Sequence, residues 1–444
     1  MKQLKNNLDK IIKNTWLIFF IFISTLSFVT YIFCVLFVKK NPHLINENWV
    51  YYIDRIGFDF SQIISNLLQG KDPINNYYGV DFYLSRMPFL PYFLFFTYSF
   101  ISKNFIIIHL IKNILFGTLI FLTVYNFNKK FNNYFLVLSL ILLFYIPHNL
   151  WITLSTNYEE GWLNYLIPIL FFLLITEKKY KSIYIGIVIS VIFFLKASMY
   201  YLALVIPILY IVIEKKKSKY LPLIFFIISS ISWGTYSYVK TGHFAYGFKS
   251  ETLSTRTLAA AYTDGFFKDL YPKFSSDEMN KAVSKIVDEQ SFTSEWEINE
   301  FLFDYSIKSV QNNPENIFIG LLKKANLILF YPFKDGQNYR SFKGVKKSEI
   351  PNQIRYSNFP NKIIFILSLL ILFNSLFLKK NKNLIMKKVN IYYISIVVTY
   401  FLPYMIAFPF GRHCTSIYMI SNIYLFLYLI EKYKFKFLKK KNNV

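Results

Sequence analysis

PFLPYFLFFTYSFI, residues 88–101, is the stretch on which the fold turns. It is apolar enough to enter a membrane, yet shorter than the ~20 residues that cross one as a helix. Prolines stand at 88 and 91. Without it, ten apolar runs remain, at about 16–38, 105–126, 134–152, 162–175, 183–195, 199–213, 220–238, 361–378, 389–410 and 414–430. Ten spans put Lys129 and Lys130, Lys178 to Lys181, Lys215 to Lys219, Lys379 to Lys388 and the tail from Lys432 on one face. That is the bias expected of a cytoplasmic face. Counting residues 88–101 as an eleventh span inverts the later loops and breaks the pattern. The stretch is therefore expected to form a short interfacial or re-entrant helix, started by Pro88 and Pro91.

The chain as a whole agrees with this plan. Of its 444 residues 54% are hydrophobic, 20% aromatic and 17% charged, and the mean hydropathy is +0.34. The expected fold is an all-α polytopic membrane protein of about ten transmembrane helices with two extracytoplasmic segments and both termini cytoplasmic. An N-terminal transmembrane module (1–238) carries the first external loop (39–104). An extracytoplasmic segment with surface helices (239–360) follows, then C-terminal transmembrane helices and a basic tail (361–444). The run 16–38 is too long for a signal-peptide core and lacks a small-residue cleavage site, so it reads as a retained first helix. Within 239–360, SEWEINEFLFDYSIKSV has helical spacing, and GLLKKANLILFYPF is amphipathic enough to lie on the bilayer.

The net charge of +25 does not point to nucleic acid, because the lysines sit in short clusters between apolar runs. Cys34 and Cys414 have no metal-type partner spacing and read as buried thiols. No internal repeat, low-complexity linker or nucleotide-binding glycine loop is present.

Chemistry on the external face has to come from the loops, since ionisable groups within hydrocarbon are expensive. The first loop offers Asp54 and Asp59, upstream of FSQIISNLLQG and Gly70; a helix N-cap is their bland alternative. The loop STNYEEGWLNYL puts Glu159 and Glu160 directly before a span, where acids also suit a helix N-terminus. Lys196 and Arg412 each stand alone in a short loop that the positive-inside rule leaves uncharged, and Arg86 lies in the longer first external loop. Converging cations suit a lipid phosphate or pyrophosphate, and snorkelling to the headgroups is the competing role. His413 follows Arg412 without the paired spacing of a metal ligand.

The order Asp54, LLQG, YLSRMPFLPYFL, then YEEGW opening a helix, then FFLKASMYYLALVIPILY resembles membrane-integral glycosyltransferases of the GT-C superfamily. In the second half, NEFLFDYSIKSVQNNPENIFIGLLKKANLILFYPF resembles their external helix followed by a proline and a lysine, and FGRHCTSIYMISNIYLFLYLI their late loop entering a helix. The nearest subgroup is the bacterial relatives of protein O-mannosyltransferases and of the lipid A aminoarabinose transferase.

The resemblance implies an extracytoplasmic site in a bacterial inner membrane. The donor is a sugar on a polyprenyl phosphate and the acceptor a hydroxyl of a glycan, lipid or protein. Asp54 or Asp59 is then the base, Glu160 or Glu159 the second-loop acid, and Lys196, Lys324 and Arg412 face the phosphate, joined by Arg86 as an external cation. Glu159 and His413 touch the acceptor or support these groups. Two acidic loops admit a divalent metal without demanding one. Single-step displacement gives inversion. The alternatives are an O-antigen polymerase or ligase, a transporter or flippase of lipid-linked glycans, and a non-catalytic scaffold.

Overall fold

In a computed structural model the residues described are 14–50, 58–129, 131, 133–156, 158–177, 179–262, 276–330, 339–340, 346–347, 354, 356–378, 384–407 and 411–441. The helices are α1 (Thr15–Lys40), α2 (Phe58–Leu68), α3 (Phe89–Phe96), α4 (Phe105–Asn128), α5 (Asn133–Phe144) and α6 (Pro147–Leu154). They continue as α7 (Glu160–Ile175), α8 (Lys181–Leu195), α9 (Tyr200–Ile213), α10 (Leu221–Thr241), α11 (Thr252–Ala261) and α12 (Ser276–Val287). The last five are α13 (Glu295–Asn312), α14 (Pro314–Phe330), α15 (Phe359–Phe373), α16 (Leu384–Ile406) and α17 (Thr415–Lys441). The strands β1 (Asn75–Tyr77) and β2 (Val80–Phe82) form one antiparallel hairpin, and β3 (Tyr339–Arg340) and β4 (Lys346–Lys347) another.

Among the described residues five helices are long and apolar enough to cross a membrane: α1, α4, α10 with its preceding turn, α15 with the turn that extends it, and α16. The expected span 134–152 is instead two helices, α5 and α6, bent by 80°. Pro147 sits at the start of α6, where a missing N–H costs nothing. Helices α7, α8 and α9, with 16, 15 and 14 residues, are shorter than a full crossing. Residues 88–101 form α3, which continues as a π-helical turn over Thr97–Ile101.

Helix α7 sits at the centre. Beyond Asn164 it is apolar on every side, and it is buried along its whole length, with Leu173 alone partly exposed. Its N-terminus is held by polar contacts that lipid cannot supply. The buried Lys112 of α4 donates to the carbonyls of Thr153 and, at 2.7 Å, Ser155. Asn113 donates to the Leu154 carbonyl at 3.2 Å. These carbonyls end α6 and have no partner within that helix. Asn164 of α7 donates to Thr153 Oγ1 at 2.9 Å and accepts from Thr415 and Ser416 at 2.8 and 2.7 Å. The turn before α7 and the start of α17 are thereby fixed against each other.

A second core lies apart from the bundle. Phe82 of β2, Ala259 to Ala261 of α11, Val283 and Val287 of α12, and Ile298 and Leu302 of α13 bury one another. The hairpin of the segment 39–104 and helices α11 to α13 of 239–360, separate in sequence, thus share one interior. Buried Glu295 at the start of α13 fastens them, accepting from Tyr83 N at 2.7 Å, Leu84 N at 3.0 Å and the Thr252 hydroxyl. Thr252 N in turn donates to Leu84 O at 2.8 Å.

Candidate functional site

Four segments that are distant in sequence bring charged groups to the N-terminus of α7. Glu159 and Glu160 lie at that N-terminus, where the helix dipole favours negative charge. Lys196 follows the last turn of α8, a position that favours a cation. Arg86 precedes α3, and Glu251 precedes α11 in extended backbone. His413 stands in the 3-10 turn Gly411–Cys414 before α17.

The contacts form one chain. His413 Nε2 is 3.2 Å from Glu160 Oε1. Lys196 Nζ lies 2.5 Å from Glu160 Oε1 and 3.0 Å from Glu159 Oε2. Arg86 Nη1 is 3.1 Å from Glu159 Oε1 and 3.6 Å from Glu251 Oε1. Glu251 Oε2 accepts from Ala197 N at 3.3 Å. Tyr404 stacks on His413 with ring centroids 4.3 Å apart and accepts from Ser198 at 3.3 Å.

The carboxylates are not equivalent. Glu159 and Glu160 each meet a cation at hydrogen-bonding distance, whereas Glu251 Oε1 is buried and accepts no hydrogen bond among the described residues. Burial and the nearby Glu159 push Glu251 up to about 7, against the pull of Arg86 and Lys196. Glu295 is also pushed up to about 7 by burial, although its hydrogen-bond donors favour the anion.

Beside this chain lies a cavity of about 270 Å³. Arg86 forms part of its wall, with Tyr83, Tyr92, Phe194, Trp233 and Tyr236 around it. The Arg86 guanidinium also lies 4.6 Å from the Phe60 ring centroid. Arg86 therefore stands between an aromatic cavity and the carboxylates.

Of the residues singled out from sequence, Arg86, Glu159, Glu160, Lys196 and His413 come together. Asp54 lies outside the described residues. Asp59 is in the first turn of α2 and Arg412 in the turn Gly411–Cys414, but neither side chain is among those described. Lys324 does something different from the others. Its ammonium donates to the carbonyls of Met405 and Ile406 at 2.8 and 2.9 Å, closing the C-terminal end of α16, and burial lowers it to about 7. Among the described residues no group of three or more His, Cys, Asp or Glu side chains could hold a metal ion.

Two acids, Glu251 and Glu295, were not singled out by sequence. Both sit in a segment rich in ordinary charged residues, and Glu295's backbone partners are 211 and 212 residues away. Comparisons with protein-family models, with characterised proteins and with solved structures find no match for this chain.

Proposed function

We propose that this protein is a membrane glycosyltransferase that moves a sugar from a polyprenyl phosphate to a hydroxyl of a glycan, lipid or protein on the extracytoplasmic face. The observation that carries the reading is the buried chain His413, Glu160, Lys196, Glu159, Arg86, Glu251. It joins the loops that loop charge alone assigns to the outside, and sets them beside a cavity with aromatic walls. The proposed topology is ten crossings with both termini in the cytoplasm of a bacterial inner membrane.

In this reading the acceptor hydroxyl attacks the anomeric carbon in one step, and the bond from that carbon to the phosphate oxygen breaks with inversion. Negative charge grows on the departing phosphate. Arg86 and Lys196, with Arg412 from the late loop, answer that charge in a water-poor site, where such stabilisation is usually the largest catalytic term. A carboxylate takes the hydroxyl proton; the resemblance gives that role to Asp54 or Asp59. Lys112, the cation buried within the bundle, is engaged by the carbonyls at the end of α6, so its burial does not favour transport.

The test is consumption of polyprenyl-phosphate sugar by isolated membranes. Lys196→Gln and Arg86→Gln are expected to reduce it at least about tenfold, as loss of a charge-stabilising group does, with protein still present in the membranes. Full consumption by both variants would remove the cluster from the reaction.

A further inference from the structure

Glu251 Oε1 is buried and accepts no hydrogen bond among the described residues, and the residue is 1% exposed. The charged groups facing it come from three elements: Arg86 from the segment before α3, Lys196 from the end of α8, and Glu159 from the start of α7. Its other oxygen is anchored on Ala197 N, with Ser254 Oγ at 3.5 Å. That anchor holds Oε1 on the Arg86 side. Arg86 Nη1 is shared, 3.1 Å from Glu159 and 3.6 Å from Glu251, and Arg86 also borders the cavity.

Resting on the transferase reading above, we propose that Glu251 Oε1 receives the proton of the acceptor hydroxyl, and that its protonation turns Arg86 over to the departing phosphate. The balance is simple. The acceptor O–H bond breaks and its proton goes to Glu251, while the acceptor oxygen bonds to the anomeric carbon. The electron pair of the breaking carbon–oxygen bond stays on the phosphate, which passes from a singly charged diester to a doubly charged monoester. Neutral Glu251 no longer competes for the guanidinium at the moment the phosphate gains charge. Water then takes the proton from Glu251 as the products leave. A carboxyl raised to about 7 by burial is poised for both steps near neutral pH.

The experiment follows polyprenyl-phosphate sugars by mass spectrometry in cells producing wild-type protein, Glu251→Gln, Glu251→Asp, Asp54→Asn or none. Expected for Glu251→Gln is a loss of turnover of roughly 10²–10⁴, the usual worth of a general base, with partial recovery in Glu251→Asp. In membranes, wild-type turnover rises with pH through about 7, and Glu251→Asp displaces that rise. Wild-type turnover by Glu251→Gln, with Asp54→Asn inactive, assigns the proton to Asp54 and overturns the proposal. Should Glu251→Gln fail to accumulate, Glu251→Asp decides: a displaced pH rise supports the role and an unmoved one overturns it. No accumulation of donor in cells lacking the protein defeats the transferase reading itself, a separate outcome.

Discussion

Glu251 and Glu295 each contribute a pH dependence opposite to that of an ordinary salt-bridged carboxylate. Both carboxyls stand near 7, above the roughly 4.3 of an exposed glutamate. The folded chain therefore binds more protons than the unfolded one between those values. Stability is fully present below the ordinary glutamate value and is lost as pH rises through about 7. The melting temperature of the purified protein is expected to fall between about pH 5 and 7, below the range in which buried Lys324 contributes with the opposite sign, and Glu251→Gln to flatten part of that slope. A melting temperature that rises over this range would contradict the assignment.

The same scale shows what a sequence reveals. Arg86, Glu159, Glu160, Lys196 and His413 were legible because each is a polar group in or beside an apolar setting. Glu251 was not, since acids beside Thr and Ser are commonplace in a soluble-looking segment. Its significance comes from Arg86 and Ala197, which only the folded chain brings near.

Among elements, the junction of α6 and α7 sets the position of the paired glutamates. A Cβ on Gly161 would lie 2.2 Å from Ser155 O and 2.7 Å from Ile152 O, both backbone atoms that cannot swing aside. Gly161→Ala is expected to cost about 1–3 kcal/mol, as overpacking does, read as a lower midpoint in thermal unfolding; an unchanged midpoint would mean that the junction yields. Glu295 has the matching role for the two segments of the second core. Glu295→Ala is expected to speed hydrogen exchange at the amides of Tyr83 and Leu84, which donate to it. Unaltered protection there would show that the backbone contact of Thr252 with Leu84 suffices.

Elements were unevenly readable. The long apolar helices α1, α4, α15 and α16 follow directly from hydropathy. The β1–β2 hairpin does not, because its turn is Tyr78–Gly79, with φ of 54° and 77°. Such turns usually announce themselves as Asn-Gly or Asp-Gly. The break between α5 and α6 was hidden too, since the run 134–152 is apolar throughout its first part and Pro147 is its sole strong interruption.

At the scale of the whole molecule, the helix bundle and the second core meet around one charged chain. Glu251 directly precedes α11, whose alanines lie in the second core, while Arg86, between Leu84 and Met87 of the main core, sits with Glu159, Glu160, Lys196 and His413 on the bundle side. Relative movement of the two parts would separate Glu251 from Arg86 and Ala197, so the chain of charges is complete only when they are docked. Loop charge set the expectation of which loops share a face. It could not foretell that the cations would meet glutamates, because the partners are 73 residues apart for Arg86 and 36 for Lys196.

The central claim is that this chain consumes a lipid-phosphate sugar, and the most direct measurement is the pool of polyprenyl-phosphate sugars and the composition of surface glycans in cells with and without it. The expected result is accumulation of one polyprenyl-phosphate sugar together with loss of that same sugar from one glycan, lipid or protein, restored by the wild-type chain. Identical lipid-linked sugars and identical surface glycans in the two strains would contradict it.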